Sequence, residues 1–140
     1  MSALTNRYRG FTLLELMVVL LILALLSTIA APRVIKYVTK AKTQSAKIQV
    51  DALAAAVEAF HLDVGRFPTT EEGLSALVDI PATAAGWDGP YIKKRESLID
   101  PWHRAYRYRT PGRQEAFEVF SFGADDREGG EGDASDVGIE

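Results

Sequence analysis

The sequence predicts an α+β fold, one long N-terminal helix packed on a small antiparallel β-sheet domain. Three observations carry that expectation. An apolar block runs from Phe11 to Ala31 with a single charged residue inside it, Glu15. Beyond the block, apolar residues recur at helical spacing as far as Phe60. Two aromatic and β-branched runs, Ala105–Arg109 and Ala116–Phe122, flank Thr110-Pro111-Gly112-Arg113-Gln114, the composition of a hairpin and its turn.

The first element is the apolar block. Its 21 residues, at about 1.5 Å of rise each, span about 30 Å, the thickness of a bilayer's hydrocarbon core. Arg7 and Arg9 precede it, so the positive-inside rule puts the N-terminus in the cytoplasm and the bulk of the chain outside. The competing reading is a secretory signal peptide cut near Ala30 or Ala31. Pro32 would directly follow that cut and obstruct it, and a carboxylate is out of place in a disposable apolar core.

Glu15 is the most informative residue of the block. An ionisable group at membrane depth costs about 2.5–3.5 kcal/mol on insertion scales and calls for a partner. No Lys or Arg lies within the block to supply one. Removal of residues 1–10 as a basic leader would create an α-amino group on Phe11, four positions from Glu15. Cleavage between Gly10 and Phe11 would therefore generate the cation that the acid lacks, in the same chain or in a stacked neighbour.

Helix is expected to continue through residues 32–62, with a kink at Pro32, which removes a backbone donor and clashes with the preceding turn. One stripe joins the small and apolar residues Val34, Val38, Ala41, Ser45, Ile48, Ala52, Ala55 and Ala59; another, nearly opposite, joins Ala46, Val50, Leu53, Val57 and Phe60. A helix apolar on two faces has two partners. The bulky stripe is assigned to the chain's own domain and the alanine stripe to contact between subunits; a single broad core face is the alternative. Asp63-Val64-Gly65 ends the helix, with Gly65 as a left-handed cap.

Residues 63–140 then form the small globular domain. Thr69 with Glu72 makes a capping box that starts a short helix through about Val78. Pro81–Pro90, rich in Ala, Gly and Pro, is loop, and the hairpin follows. The last sixteen residues carry Asp125, Asp126, Glu128, Glu131, Asp133, Asp136 and Glu140 against one Arg127. They lack the acid order of an EF-hand. From spacing alone this tail reads either as a disordered acidic extension or as a glycine-spaced metal loop.

Charge and cysteine usage narrow the functional classes. A net charge of −3 argues against nucleic acid as a partner. Arg33, Lys36, Lys40, Lys42 and Lys47 form a basic collar beside the apolar block, suited to an anionic lipid surface. There is no cysteine, hence no disulfide, and a small secreted domain without one often relies on a metal or on partner subunits. An enzyme has little support. His61 and His103, the only histidines, share no metal-binding spacing, and scattered Ser, Asp and Glu fit any globular domain.

Gly10-Phe11-Thr12-Leu13-Leu14-Glu15, behind a short basic leader, resembles the cleavage signal of the type IV pilin superfamily. That resemblance implies a prepilin peptidase cutting after Gly10, N-methylation of Phe11, a type IV pilin-like fold and an assembly role for Glu15. Phe60-His61-Leu62-Asp63-Val64-Gly65-Arg66-Phe67-Pro68-Thr69-Thr70-Glu71-Glu72-Gly73-Leu74 narrows it to the major pseudopilins of type II secretion systems. Trp87-Asp88-Gly89-Pro90-Tyr91-Ile92, Asp100-Pro101-Trp102, Tyr106-Arg107-Tyr108 and Gly123-Ala124-Asp125 with Gly129-Gly130-Glu131-Gly132 continue the match. His103-Arg104-Ala105 departs from the glycine and proline usual after that tryptophan.

The resemblance implies a homopolymeric pseudopilus that helps drive folded proteins from the periplasm across the outer membrane. Its implied partners are minor pseudopilins, the prepilin peptidase and the inner-membrane assembly platform. The implied location is a single pass in the bacterial inner membrane, with the C-terminal domain periplasmic. It also implies Ca2+ in the tail loop. By position, Asp125 and Asp133 would be carboxylate ligands, Phe122, Arg127 and Gly130 carbonyl ligands, and Asp136 a weaker candidate. A type IV pilus subunit or a minor pseudopilin is the alternative, but the former usually closes its C-terminal region with a disulfide. The latter often lacks the acid at the Glu15 position.

Overall fold

The computed structural model describes residues 10–138, except for the side chains of residues 29–32. Residues 1–9 of the basic leader lie outside these residues, and the kink expected at Pro32 falls among the undescribed side chains. Helix α1 spans Leu13–Val64, shifted two residues from the expected Phe11–Leu62. The shift has a local cause at each end. Thr12 Oγ1 accepts the Glu15 amide at 3.2 Å, making Thr12 the N-cap, so the first helical residue is Leu13. At the other end Gly65 adopts φ 80° and donates its N–H to the His61 carbonyl at 2.8 Å, the left-handed stop expected there.

Residues 1–37 and 38–140 form two compact units. In the first, the described chain is helix from Leu13 onward. Every large apolar side chain from Leu13 to Leu26 is at least 42% exposed. The hydroxyls near its end are satisfied within the helix: Ser27 donates to the Leu23 carbonyl and Thr28 to that of Leu25, both at 2.7 Å.

In the second unit the remainder of α1 carries the core. Ala46, Val50, Leu53, Val57 and Phe60 are all buried, as the bulky stripe predicts, and they pack with Leu74, Leu77, Tyr106, Phe117 and Val119. Each large side chain so buried contributes about 1.5–3 kcal/mol relative to exposure. Ser45, Ile48, Ala52 and Ala55 on the other stripe are exposed and Ala59 is half-buried. The helix therefore presents two distinct faces here, one buried and one open.

Past Gly65 the capping box closes reciprocally. Thr69 N–H donates to Glu72 Oε2 at 2.8 Å and Glu72 N–H to Thr69 Oγ1 at 3.2 Å. The element it starts is shorter than expected: a single turn, then a 3-10 helix at Gly73–Leu77. Gly73, at φ 57°, takes the left-handed conformation between them and breaks the α-helical run. Arg66 locks the box with two hydrogen bonds to the Glu72 carboxylate, at 2.7 and 2.8 Å. That contact, first among the causes, lowers the Glu72 carboxyl from 4.5 to about 2.

The loop through Pro81–Pro90 is irregular and is pinned by its tryptophan, whose Nε1 donates to the Ala76 carbonyl at 2.9 Å. Strands β1 (Arg107–Arg109) and β2 (Glu118–Phe120) pair antiparallel, with Tyr108 opposite Val119. Each is shorter than its apolar run, because the flanks pair elsewhere: Ala105 bridges to Ile99, and Ser121 to Val137. The hairpin seats on the helix end through Phe67, stacked on His61 at 4.2 Å and tilted against Phe117 at 5.1 Å. Tyr108 Oη adds a hydrogen bond to the Pro68 carbonyl at 2.9 Å.

Candidate functional site

Two regions carry the sequence-predicted functional residues: the start of α1, and the acidic loop after β2. Gly10 and Phe11 precede the helix and are exposed, Phe11 at 80%. Glu15 sits in the first turn, where a carboxylate faces the positive end of the helix dipole. Its side chain has no ion-pair partner among the described residues. Thr12, Ser27 and Thr28 all have hydrogen bonds within the helix. Glu15 is thus the polar group of this apolar segment that still requires a partner. The capping role of Thr12 escaped the sequence reading, although Thr12-x-x-Glu15 is the capping-box spacing that signals it.

The acidic loop is ordered by its own backbone. Ala124 N–H donates to the Asp133 carbonyl at 2.8 Å, and Ser121 and Val137 exchange both amide bonds at 3.0 and 2.9 Å. Asp125 Oδ1 accepts the Arg127 amide at 3.2 Å. Asp133 Oδ1 accepts the Trp102 indole N–H at 2.9 Å, and Asp136 Oδ2 the Gly129 amide at 2.8 Å. The second carboxylate oxygen of Asp136 is buried without a partner. Gly130 adopts φ 92°, and a Cβ there would run into the Ala134 carbonyl oxygen. Phe122 packs on Phe120 at 5.2 Å under the Arg107 guanidinium, which lies 4.7 Å from its ring. Arg107 in turn pairs with Asp126 at 2.9 Å.

Asp125, Asp133 and Asp136 thus share one loop, but their carboxylates do not converge. Among the described residues no three His, Asp or Glu side chains are placed together to grip a metal. Sequence reasoning expected a surface turn at His103 but missed that the turn Asp100–Arg104 reaches this loop through Trp102 and Arg104. The departure at His103-Arg104-Ala105 marked the turn but not its partners.

Comparison with known proteins places this geometry. The structure superposes on the major pseudopilin from the type 2 secretion system of enterohaemorrhagic Escherichia coli with a TM-score of 0.59 and 34% identity, covering 71% of this chain and 86% of that one. A long N-terminal helix joined to a small antiparallel sheet, as here, is the type IV pilin-like architecture. Residues 33–140 match the family described as type II secretion system (T2SS), protein G, and residues 5–31 the prokaryotic N-terminal methylation motif. The type II secretion system core protein G of Pseudomonas aeruginosa is 40% identical over 92% of each chain. That of Vibrio cholerae is 41% identical over 95% of this chain and 92% of its own. The chain belongs to the type II secretion system protein G family; its role in that system is that of a structural pseudopilin, not of an enzyme.

Proposed function

We propose that the chain is the major subunit of a type II secretion pseudopilus, cleaved between Gly10 and Phe11, methylated on Phe11 and polymerised through α1. The observation that carries this reading is the helix start. An exposed apolar surface, Leu13–Leu26, contains one acid whose carboxylate has no described counter-ion. Before assembly the membrane covers that surface. Residues 11–31 cross the inner membrane with the N-terminus cytoplasmic and the domain periplasmic, in keeping with the methylation motif at residues 5–31. No single unbroken helix among the described residues is long and apolar enough to cross a membrane; Leu13–Thr28 and Arg33–Val64 qualify together, by length and composition only.

In the fibre, neighbouring copies cover the same surface, and the new amine on Phe11 meets Glu15 of its own chain or the next. The open stripe Ser45, Ile48, Ala52 and Ala55 supplies further contact between copies. Minor pseudopilins, the prepilin peptidase and the inner-membrane assembly platform are the remaining partners. The test reads both steps. Mass spectrometry of the membrane-extracted protein should find an N-terminal methylated phenylalanine; a mature start near Pro32 would refute the reading. Glu15→Ala should insert normally but lose sheared fibres on immunoblot by at least tenfold, since removing a lone acid eases insertion while deleting the neighbour's counter-ion.

We further propose that Ca2+ binds the acidic loop. Calcium takes six to eight oxygen ligands at flexible geometry, and this loop offers oxygen donors alone. The partnerless buried oxygen of Asp136 and the glycine backbone at Gly129 and Gly130 support the fit. Asp125 and Asp133 would supply carboxylates, with carbonyls from Phe122, Arg127 and Gly130 and a further oxygen from Asp136. The ion would neutralise the loop's acids and hold its turns. Calcium at a hundred times Kd would add about 2.7 kcal/mol of stability. Thermal melting should fall by several degrees from calcium to EGTA, with Asp125→Ala and Asp133→Ala melting low and responding weakly; identical wild-type curves in both buffers would remove the site.

A further inference from the structure

The turn Asp100–Arg104 is built around a buried carboxylate. Asp100 is 5% exposed, and its Oδ1 accepts the amides of Trp102 and Arg104, each at 2.9 Å. Its Oδ2 accepts the Ser121 hydroxyl at 2.6 Å, and the Asp100 amide closes the turn on the Arg104 carbonyl at 2.7 Å. A buried acid with three donors on it holds its surroundings in one arrangement. Two side chains leave this rigid turn for the two limbs of the acidic loop. Trp102 Nε1 donates to Asp133 Oδ1 at 2.9 Å on one limb. On the other, Arg104 Nη1 and Nη2 donate to the carbonyls of Gly123 and Ala124, at 2.6 and 2.5 Å.

We propose that this turn is a built-in brace for the C-terminal loop, with the Arg104 guanidinium as a resident cation that holds the loop's root without any bound ion. Two consecutive carbonyls turned to one side repel each other unless a donor meets both. A planar guanidinium meets two acceptors in parallel, which a single ammonium cannot do with the same geometry. The limbs are already in close contact at the root. Ala124 bonds to the Asp133 carbonyl at 2.8 Å, and a Cβ on Gly123 would come within 2.7 Å of the Ser135 carbonyl oxygen and 2.9 Å of that of Asp133. Outside the root, residues 125–131 are held among the described residues by the Asp125–Arg127 and Gly129–Asp136 bonds, by the Ala134 amide on the Glu131 carbonyl at 3.2 Å, and by the exposed pairs of Asp126 and Glu128. The loop therefore has a root whose backbone carbonyls are held by a half-buried guanidinium and a rim tied by exposed side-chain pairs.

The brace stands apart from the calcium reading, and amide exchange of the full chain in detergent micelles with EGTA decides it. In the wild type the Ala124 amide should exchange at least tenfold more slowly than that of Gly129. Arg104→Ala should accelerate Ala124 at least tenfold and leave the Tyr91 and Ile92 amides, bonded to the distant Leu77 carbonyl, unchanged. Arg104→Lys should fall between. Where Arg104→Ala does not fold, Arg104→Lys decides alone: faster exchange at Ala124 supports the brace, unchanged exchange refutes it. Equal wild-type rates at Ala124 and Gly129, or an Ala124 rate indifferent to Arg104, would overturn it. Melting gives a second arm. Arg104→Ala should widen the gap between calcium and EGTA, whereas an equal loss in both buffers counts against a resident cation. A wild-type melt insensitive to calcium refutes the calcium reading and leaves the exchange arm to judge the brace.

Discussion

Leu20 and Phe60 both fall within α1 and both are large apolar residues, yet Leu20 is 58% exposed and Phe60 not at all. The contrast holds for the stretches around them. From Leu13 to Leu26 the helix is apolar all round, so no single face can be turned inward. From Ala46 to Phe60 the bulky residues fall on one side, and the domain closes over that side alone. Apolar content does not decide where a helix is buried. Its angular distribution does: a stripe finds a core within the chain, whereas an all-round apolar surface must find its solvent in lipid or in other copies.

Truncation at the two positions should separate them most widely. Phe60→Ala empties a fully buried site and should cost about 3–5 kcal/mol in the melting of the domain. Leu20→Ala, measured on the full chain in the same detergent, should stay within about 0.5 kcal/mol. A large loss at Leu20 would mean that the first stretch contributes to the domain's core, and the contrast would break.

A smaller effect sharpens the boundary where α1 hands over to the domain. Glu72 is depressed from 4.5 to about 2, chiefly by Arg66. A carboxyl depressed on folding contributes stability above its unfolded pKa and loses it as pH falls through the folded one. Acidification from about 4.5 to about 2 should therefore remove this contribution. Glu72→Gln keeps an acceptor for the Thr69 amide but not the charge. It should lower stability at neutral pH by about 1 kcal/mol and flatten the acid profile in that window. A profile as steep as the wild type's would assign the acid response to other groups.

The smallest expected change is a gain. His103 holds φ 69° in the turn after Trp102, a left-handed conformation that costs an L-residue about 1–2 kcal/mol. His103→Gly should raise stability by about 0.5–1 kcal/mol, the net of relieved strain and a more flexible unfolded chain. It should leave the exchange rates at the start of α1 untouched. A loss of stability would show that the imidazole holds the turn in a way that outweighs its backbone strain.

Much of this protein is legible without coordinates because its signals are local. The long helix, its two stripes, the stop at Gly65, the box at Thr69 and Glu72 and the hairpin all follow from periodicity or from residues a few positions apart, where neighbours along the chain are neighbours in space. So does the isolation of Glu15, which needs only the absence of a basic residue in 21 positions. The short 3-10 element at Gly73–Leu77 was misjudged because capping spacing marks where a helix begins, not how far Gly73 lets it run. What only the tertiary structure decided lies in contacts across long sequence separations. Trp102 meets Asp133, Arg104 meets the carbonyls of Gly123 and Ala124, and Asp100 meets Ser121. No local pattern encodes those pairings, because the hairpin between them sets which residues the chain brings back together.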